Sequence, residues 1–536
     1  MLFNVNSMAK TTFFLLVASL AISVRAQTSG TNSTRVIAAD WQNIKGPKSE
    51  LFHECIGAGR AAEGLRADWQ RQLKLCQDEI GFKYIRFHGI LTDDMGVYAE
   101  HNGEPQHNWQ YVDQLYDALA ELHIRPFVEL SFMPSALASG GKTIFWWKAN
   151  VTPPKSYDKW DDLIKDLTQH WTERYGADEV KQWYFEIWNE ADYPGFWGPH
   201  NPTNAMGEYF DLYAHTAKAV KCVNPDYRVG GPAGSQTIWI QPLIEFCKTN
   251  QLPLDFISFH TYGLGSGASG LDEFGNQLLY LGENLRAPAD TMAHGRRLAD
   301  DAGRSDLPIH VTEWSTSYSP RDPIHDSYFS APYILEQFKH TEHDIAAMSY
   351  WTFTDIFEEN GPPMRPFHGG FGLLNFEGIK KPAYFAYQFM NQLGPTELQN
   401  ADVASWVCRD DKGGAQILLW DLTRLADATV ANQNIFFKLQ PAKSKGSVDV
   451  KLTHVPQGNY RLALRQTGFE KNDAYSTYLE MGAPAQLTRA QEKILHEAAT
   501  GRPEFERDIK IGADGLLDET LPLRENDVLL LTLTPQ

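Results

Sequence analysis

The sequence predicts an α/β protein: a (β/α)8 TIM barrel followed by a C-terminal all-β sandwich domain. Between residues 52 and 395, short β-branched or aromatic runs alternate eight times with amphipathic stretches. Two of these runs carry a glutamate near their ends, as expected where barrel strands deliver polar groups to one rim. After residue 395 the helical spacing gives way to short apolar segments between Gly- and Asp-bearing turns.

The composition is that of a globular protein large enough for two domains. The chain has 536 residues, of which 43% are hydrophobic and 21% charged. Its 48 basic and 67 acidic residues give a net charge of −19, without a basic stripe that could neutralise phosphates, which argues against a nucleic-acid partner. The sequence contains no His-Glu-x-x-His, Cys-x-x-Cys or calcium-loop spacing, so we expect neither a metal nor another cofactor.

Residues 1–26 are predicted to be a signal peptide. Lys10 precedes an apolar run over residues 13–22, and small residues lead to a cleavage site expected near Ala26. The run is too short to span a membrane, and no other stretch reaches about 18 apolar residues. We therefore expect an exported, periplasmic or secreted protein that does not sit in a membrane.

The barrel, residues 52–395, is built from eight predicted strands and the helices between them. The strands are predicted at 52–59, 84–89, 125–133, 183–190, 227–234, 255–263, 308–315 and 348–355. Helical spacing is found at 62–79, 109–123, 157–175, 205–223 and 291–302, and a last helix at 381–391.

Residues 396–536 form the predicted sandwich, with strands at 415–421, 448–454, 460–466 and 527–534. The segment 27–51 contains an early strand, residues 35–41, which is predicted to join the same sandwich. Both ends of the chain would then meet there.

Five cysteines imply no disulfide framework. Cys222 and Cys247 flank one predicted strand–helix unit and could pair. Buried free thiols are the preferred interpretation, because unpaired cysteine packs as a small hydrophobic residue.

Glu190 and Glu313 are the candidate catalytic residues. Each could instead cap a helix or pair with an arginine at the surface, as most glutamates do. A carboxylate at the mouth of an apolar strand is costly unless it is paired or used, and two of them favour glycoside hydrolysis. Glu190 would serve as general acid with a raised pKa, Glu313 as nucleophile, and Asn189 could donate to a sugar 2-hydroxyl.

Arg86 ends predicted strand two and has two interpretations. It could keep Glu313 ionised. It could equally form a structural pair with Glu186, which precedes Glu190 by four residues and shares its side of the strand.

His88, His260 and Tyr262 are further candidates because each ends a strand on the same rim. Single barrel histidines are usually satisfied core residues, but three donors beside two carboxylates indicate sugar binding. His260 and Tyr262 are two residues apart and so face the same side. Trp351 could form the floor beneath a sugar ring, although core packing is nearly as good an explanation.

Two loops and one turn complete the candidates. Glu358 and Glu359 follow strand eight, and we favour Glu358 as an acid that grips sugar hydroxyls. The Gly-rich stretch 263–270 is either a pocket wall or a linker. Gly57 and Gly59 match the start of a dinucleotide-binding fingerprint, but the next strand ends in basic groups, so we interpret them as a tight turn at the barrel mouth.

Six ordered motifs resemble glycoside hydrolase family 39, and most closely its bacterial β-xylosidase branch. They are GFKYIRFHGIL (81–91), PFVELSFMP (126–134), FEIWNE (185–190), DFISFH (255–260), VTEW (311–314) and HGGFGL (368–373). The resemblance implies a clan A barrel with a β-sandwich and a retaining mechanism. It also implies the acid/base role for Glu190 and the nucleophile role for Glu313, with sugar-binding roles for His88, His260 and Tyr262.

One departure is Ala191, where the family commonly has proline. The related α-L-iduronidases resemble this chain but place a lysine at the position of Tyr262, to meet a substrate carboxylate. The resemblance therefore implies a retaining exo-acting β-xylosidase that releases xylose from xylo-oligosaccharides, with carboxyl groups about 5–5.5 Å apart. Iduronidase-like or arabinosidase activity, or a silent carbohydrate-binding protein, are the alternatives.

Overall fold

A computed structural model describes residues 35–263, 279, 281–424 and 433–536. The predicted signal peptide, residues 1–26, and residues 264–270 of the Gly-rich stretch lie outside the described residues. No helix within the described ranges is both long and apolar enough to cross a membrane.

Eight parallel strands close into a barrel in sequence order, which confirms the predicted fold class. Each strand pairs with the next, and the eighth returns to the first through Tyr350 and Ile56. The strands are Cys55–Arg60, Tyr84–His88, Arg125–Leu130, Tyr184–Ile187, Arg228–Gly234, Phe256–Tyr262, Ile309–Ser315 and Ala347–Tyr350.

A helix follows each barrel strand and covers its outer face. The helices are Ala67–Glu79, Gln110–Glu121, Tyr157–Tyr175, Ala205–Val223, Ile240–Asn250, Ala287–Asp301, Ser330–Thr341 and Pro382–Asn391, with a short turn of helix at Ala177–Val180. The helix predicted at 62–79 is divided, because Arg66 is extended between a 3-10 turn, Ala61–Leu65, and the α-helix. The helix predicted at 291–302 begins earlier, where Pro288 is pre-organised for the first turn.

The fourth strand is shorter than predicted and does not itself carry Glu190. It ends at Ile187, after which Trp188 and Glu190 adopt left-handed φ values of 70° and 45°. The Glu190 amide donates to Ala233 O at 2.8 Å, which anchors this turn to the fifth strand. Left-handed backbone at non-glycine residues is strained and is concentrated at functional sites.

The C-terminal domain is two sheets packed on a shared apolar core. Three strands form one sheet, in the order Arg35–Asp40, Ser444–Thr453 and Leu517–Arg524. Seven form the other, in the order Ile44–Pro47, Thr396–Leu398, Ser405–Arg409, Ala415–Trp420, Val528–Pro535, Gly458–Thr467 and Phe505–Ile511. Side chains such as Ile37, Val450, Ile417 and Leu531 fill the space between them. The two most N-terminal described strands thus lie in this domain.

The sequence predicts an all-β domain, but the structure also contains helices there. Two short helices, Ala474–Glu480 and Arg489–Glu497, connect adjacent strands of the larger sheet. Both begin with a side-chain cap, from Asp473 and Thr488 respectively. These capping signals are local and short, so the surrounding strand pattern hides them.

The domain packs against the barrel through large aromatic side chains. Trp420 donates from Nε1 to Glu336 Oε2 at 3.0 Å, and Lys339 Nζ lies 4.9 Å from the Trp406 ring centre. Both Trp406 and Trp420 belong to the same apolar cluster as the barrel core. The five cysteines are free thiols, so Cys222 and Cys247 do not pair. Four of them are buried as expected, whereas Cys222 is exposed, and the expectation of burial was wrong for that residue.

Candidate active site

Glu190 and Glu313 lie close together at the C-terminal rim of the barrel. His260 Nδ1 is 2.7 Å from Glu190 Oε1 and 3.5 Å from Glu313 Oε2. One carboxylate oxygen from each glutamate lies within 4.8 Å of the other. Their side chains are only 12% and 6% exposed, so the space between them is largely shielded from water.

Arg86 ties Glu313 into a buried ionic network. Its Nη1 is 2.6 Å from Glu313 Oε1, its Nε 2.7 Å from Glu186 Oε2, and its Nη2 2.6 Å from Glu129 Oε2. The two interpretations of Arg86 are therefore not exclusive, since one guanidinium contacts both Glu313 and Glu186. A fixed positive charge therefore lies directly beside the Glu313 carboxylate.

His88 forms the second cationic group of the site. Its Nδ1 lies 2.8 Å from Glu129 Oε2, and its Nε2 lies 3.6 Å from Glu313 Oε1 and 3.5 Å from Glu359 Oε1. Burial alone would lower the pKa of His88, but these carboxylates outweigh it and raise that pKa to about 10. His88 is thus an imidazolium that can donate from Nε2 toward the pocket.

The two acids after strand eight occupy different places. Glu358 pairs with Arg60 at 2.7 Å and Arg66 at 3.2 Å, outside the contacts that surround Glu313. Glu359 faces His88, and burial raises the pKa of its carboxyl to about 7. The sequence-based preference for Glu358 thus falls on a residue held by arginines. Its neighbour Glu359 instead contacts His88, which lies beside Glu313. The sequence alone does not indicate which of two adjacent acids in a loop faces the active site.

The environment of Glu190 favours its protonated form. Burial raises the pKa of its carboxyl to about 8, and the nearby Asp192 acts in the same direction. Trp188, two residues earlier in the chain, and Trp197 are both buried. Burial also lowers the pKa of His260, to about 4, so that this histidine is neutral. A proton is thus held by the carboxylic acid.

Tyr262 and Trp351 belong to one small aromatic cluster that contacts residues of the site. Tyr262 donates from Oη to Glu313 Oε2 at 2.7 Å. The Trp351 ring centre is 4.8 Å from the His88 ring centre, and the Arg86 guanidinium lies 5.7 Å from the Trp351 ring. Trp351 is only 2% exposed, so it packs in the core and also contacts residues of the site.

Gly57 makes room for this tryptophan. A Cβ at Gly57 would lie 2.6 Å from Trp351 Cε3 and 2.8 Å from Tyr350 O. Gly57 sits inside the strand Cys55–Arg60. The interpretation of a tight turn at the barrel mouth was wrong for this glycine, which is explained by close approach of the Trp351 ring.

The side-chain amide of Asn189 provides a hydrogen-bond donor at the site. Its Oδ1 accepts from Arg86 Nη2 at 2.9 Å, which fixes the orientation of the amide. Among the described residues, Asn189 Nδ2 is buried and has no hydrogen-bond partner. A buried, oriented N–H of this kind is suited to a ligand oxygen.

Two buried residues of the site were missed by the sequence analysis. Glu129 accepts from His88 and contacts Arg86, and an acid inside the apolar run 125–133 was a signal that could have found it. Thr312 donates to Glu186 Oε1 at 2.8 Å. Strict strand alternation places Thr312 and Glu313 on opposite faces, so the sequence pattern gave no indication of it.

Comparison with known proteins decides the family. The model of glycosyl hydrolases family 39 matches residues 36–517. A β-xylosidase of Geobacillus stearothermophilus is 37% identical over 486 residues, which cover 89% of this chain and 91% of that protein. The chain belongs to glycoside hydrolase family 39.

Solved structures of family 39 enzymes share the whole architecture. The family 39 enzyme from Xanthomonas axonopodis pv. citri is 41% identical with a TM-score of 0.90, covering 94% of this chain and 98% of that one. A monomeric β-xylosidase from Caulobacter crescentus CB15 is also 41% identical, with a TM-score of 0.88 and coverage of 94% and 99%. This family 39 protein is accordingly a glycoside hydrolase that acts on carbohydrate.

In this glycoside hydrolase, protein side chains already donate hydrogen bonds to Glu313, the carboxylate that both acidic clusters share. Two sets of three ligand-type atoms lie within 4.8 Å of one another, one around His88 and one around His260, and both include Glu313. Both oxygens of Glu313 already accept hydrogen bonds, from Arg86 and Tyr262. A metal ion there would face the Arg86 guanidinium, so we assign no metal ligands to these residues.

Proposed function

We propose that this enzyme is a retaining, exo-acting β-xylosidase, which releases xylose from the non-reducing end of xylo-oligosaccharides. The observation that carries the proposal is the arrangement of Glu190 and Glu313, each of which places one carboxylate oxygen within 4.8 Å of one from the other. Their surroundings differ, since Glu313 lies beside the Arg86 guanidinium and Glu190 beside His260. Retaining glycosidases hold their two carboxyl groups about 5–5.5 Å apart, whereas inverting enzymes need ~6.5–9.5 Å to admit a water. The close spacing supports retention.

In the first step Glu313 attacks the anomeric carbon while Glu190 protonates the departing glycosidic oxygen. Arg86 and Tyr262 hold the two oxygens of Glu313 and so orient the nucleophile. The proton is available because the pKa of Glu190 is raised to about 8 by burial. Asn189 Nδ2, which is buried without a partner among the described residues, would donate to the sugar 2-hydroxyl, a contact that strengthens as positive charge develops on the ring.

In the second step a water molecule releases the sugar. Glu190, now a carboxylate, takes a proton from the water, and the water oxygen bonds to the anomeric carbon as the bond to Glu313 breaks. Once the Glu313 carboxylate is restored, its negative charge is again balanced by Arg86 and His88. The protein returns to its starting protonation state.

Two features support xylose as the sugar. Relatives that carry the name β-xylosidase are 37% and 38% identical over most of the chain. Tyr262 is neutral and already bonded to Glu313, so it offers no positive charge to a uronate at this position. A uronate carboxylate would therefore be desolvated without compensation there.

Exo action is supported by the depth of the hydroxyl-binding groups. His88 and Glu359 have side chains that are only 2% and 15% exposed, and the Trp351 ring packs against that of His88. Polar groups that are this enclosed suit the closed end of a pocket that accepts one terminal sugar.

We further propose that the protein is exported, to the periplasm or the medium, after removal of residues 1–26. The support is the charged, apolar and small-residue pattern of that segment. N-terminal sequencing of the protein from the culture fluid or periplasm tests this, and an intact Met1 in the cytoplasmic fraction would contradict it.

A substrate panel tests the proposed activity. We expect release of 4-nitrophenol from the β-D-xyloside, with much slower release from the α-L-arabinosides and the α-L-iduronide. Xylotetraose should shorten by one xylose at a time, with xylotriose appearing before xylobiose. Glu313→Gln is the control for contaminating activity and should be inactive. Preference for the iduronide or an arabinoside, internal cleavage, or carbohydrate binding without turnover would each contradict the proposal.

A further inference from the structure

Thr312, directly before the proposed nucleophile, occupies a bulge in the seventh barrel strand. Phe259 pairs with Val311 and His260 with Glu313, so Thr312 is the extra residue of this pairing. A bulge redirects a side chain that regular alternation would turn away. Both side chains consequently reach the buried polar interior of the barrel. Thr312 is only 1% exposed.

The hydroxyl of Thr312 donates to the buried carboxylate of Glu186. Thr312 Oγ1 lies 2.8 Å from Glu186 Oε1, and the other oxygen of that carboxylate accepts from Arg86 Nε at 2.7 Å. A carboxylate oxygen accepts hydrogen bonds, whereas a hydroxyl can donate one and accept others. The Thr312 hydroxyl therefore donates to Glu186, and its oxygen is left to accept.

His260 supplies the matching donor. Its Nε2 lies 3.2 Å from Thr312 Oγ1. With the hydroxyl proton directed to Glu186, a hydrogen bond at this contact requires the ring proton on Nε2. A neutral imidazole with a proton on one nitrogen accepts through the other. Nδ1 is then an acceptor, and it lies 2.7 Å from Glu190 Oε1. The hydrogen bond between them needs a proton, which the Glu190 carboxyl must provide.

The surrounding charges agree with a neutral His260. Its side chain is fully buried, and burial lowers the pKa of the imidazole to about 4. The titratable and charged groups that face His260 and Glu190 from the neighbouring elements are Arg86, His88, Glu129, Glu186, Asp192, Tyr262, Glu313 and Glu359. Glu129, Glu186 and Glu313 are compensated by Arg86 and, for Glu129, also by His88.

We propose that Thr312 is a positioning residue that fixes His260 as its Nε2–H tautomer and thereby keeps the acid proton on Glu190 before substrate binds. The inference rests on the proposed role of Glu190 as general acid. When the glycosidic bond breaks, the proton passes from Glu190 to the leaving oxygen. The resulting carboxylate faces the lone pair of His260 Nδ1, which makes it a stronger base toward the incoming water.

Thr312→Val and Thr312→Ser form a matched pair for the test. Valine has nearly the shape of threonine without its oxygen, whereas serine keeps the oxygen. In Thr312→Val, His260 Nε2 loses its acceptor, and the ring can carry its proton on Nδ1 and donate to an ionised Glu190. Xylobiose is the substrate, because its sugar leaving group needs the proton. We expect the alkaline limb of kcat/KM to move about one pH unit lower in Thr312→Val, and to stay near the wild-type position in Thr312→Ser.

A second readout does not depend on activity. Nitrogen-15 NMR of histidine-labelled protein, with His260 assigned from the spectrum of His260→Gln, should show Nε2–H in the wild type and Nδ1–H in Thr312→Val. A folded Thr312→Val with the wild-type alkaline limb would overturn the inference, as would a wild-type His260 that is charged or protonated on Nδ1. If the wild type cleaves no xyloside, the proposed function fails, and the NMR tautomer still decides the role of Thr312.

Discussion

At the scale of single residues, the site separates two carboxylates by their surroundings. Glu313 accepts hydrogen bonds from the cationic guanidinium of Arg86 and from the Tyr262 hydroxyl. Glu190 is buried near Asp192 and faces the neutral ring of His260. Pairs of titratable groups whose environments push them toward different protonation states identify acid and nucleophile in glycosidases.

The pH dependence of the reaction follows from Glu190. Its acid role requires the proton, and burial raises the pKa of its carboxyl to about 8. Activity should therefore hold through neutral pH and fall as the pH rises through about 8. The measurement is kcat/KM for xylobiose against pH, which reports the free enzyme. An alkaline limb near pH 5 would contradict the assignment of Glu190.

Glu358→Gln and Glu359→Gln separate the two neighbouring acids. Glu359 lies beside His88 at the pocket, while Glu358 is held by Arg60 and Arg66. Hydrogen bonds to charged groups contribute about 1.5–3 kcal/mol, so Glu359→Gln should lower kcat/KM for an aryl β-xyloside about 10- to 100-fold. Glu358→Gln should stay within about threefold of wild type, since its partners are protein side chains. The reverse order would restore Glu358 as the acid that binds the sugar.

At the scale of elements, regular patterns were predictable and local irregularities were not. Eight strand–helix units and the rim position of Glu190 and Glu313 follow from periodicity, which many residues share. The turn that carries Glu190 depends on left-handed φ values, and the bulge at Thr312 on a single extra residue. Neither leaves a pattern in sequence, because one residue does not change the average spacing around it.

Glycine at position 57 offers a test of how the first strand supports the floor of the site. Gly57→Ala would place its Cβ 2.6 Å from Trp351 Cε3, whereas a Cβ at Gly46 meets nothing within 4 Å. Overpacking typically costs 1–3 kcal/mol, so Gly57→Ala should lower both Tm and kcat/KM by displacing the ring. Gly46→Ala is the control in an edge strand and should change neither appreciably. Equal effects in both variants would show that Trp351 is not held by Gly57.

At the scale of the whole molecule, the barrel and the β domain share one apolar cluster. Trp406 and Trp420 pack against the barrel helix Ser330–Thr341, where Trp420 also bonds to Glu336. We expect one calorimetric unfolding transition that coincides with loss of activity. Trp420→Ala should destabilise the protein by about 3–5 kcal/mol, as expected for a buried tryptophan. The exposed Tyr111→Ala is the control, and two separate transitions would contradict coupled domains.

The central claim is that Glu190 and Glu313 carry out double displacement on a β-xyloside. The most direct test is the anomeric configuration of the first product, followed by proton NMR during hydrolysis of 4-nitrophenyl β-D-xyloside before mutarotation. Two displacements at one carbon predict that β-xylose appears first and the α anomer only later. Initial release of α-xylose would mean inversion and would contradict the proposed mechanism.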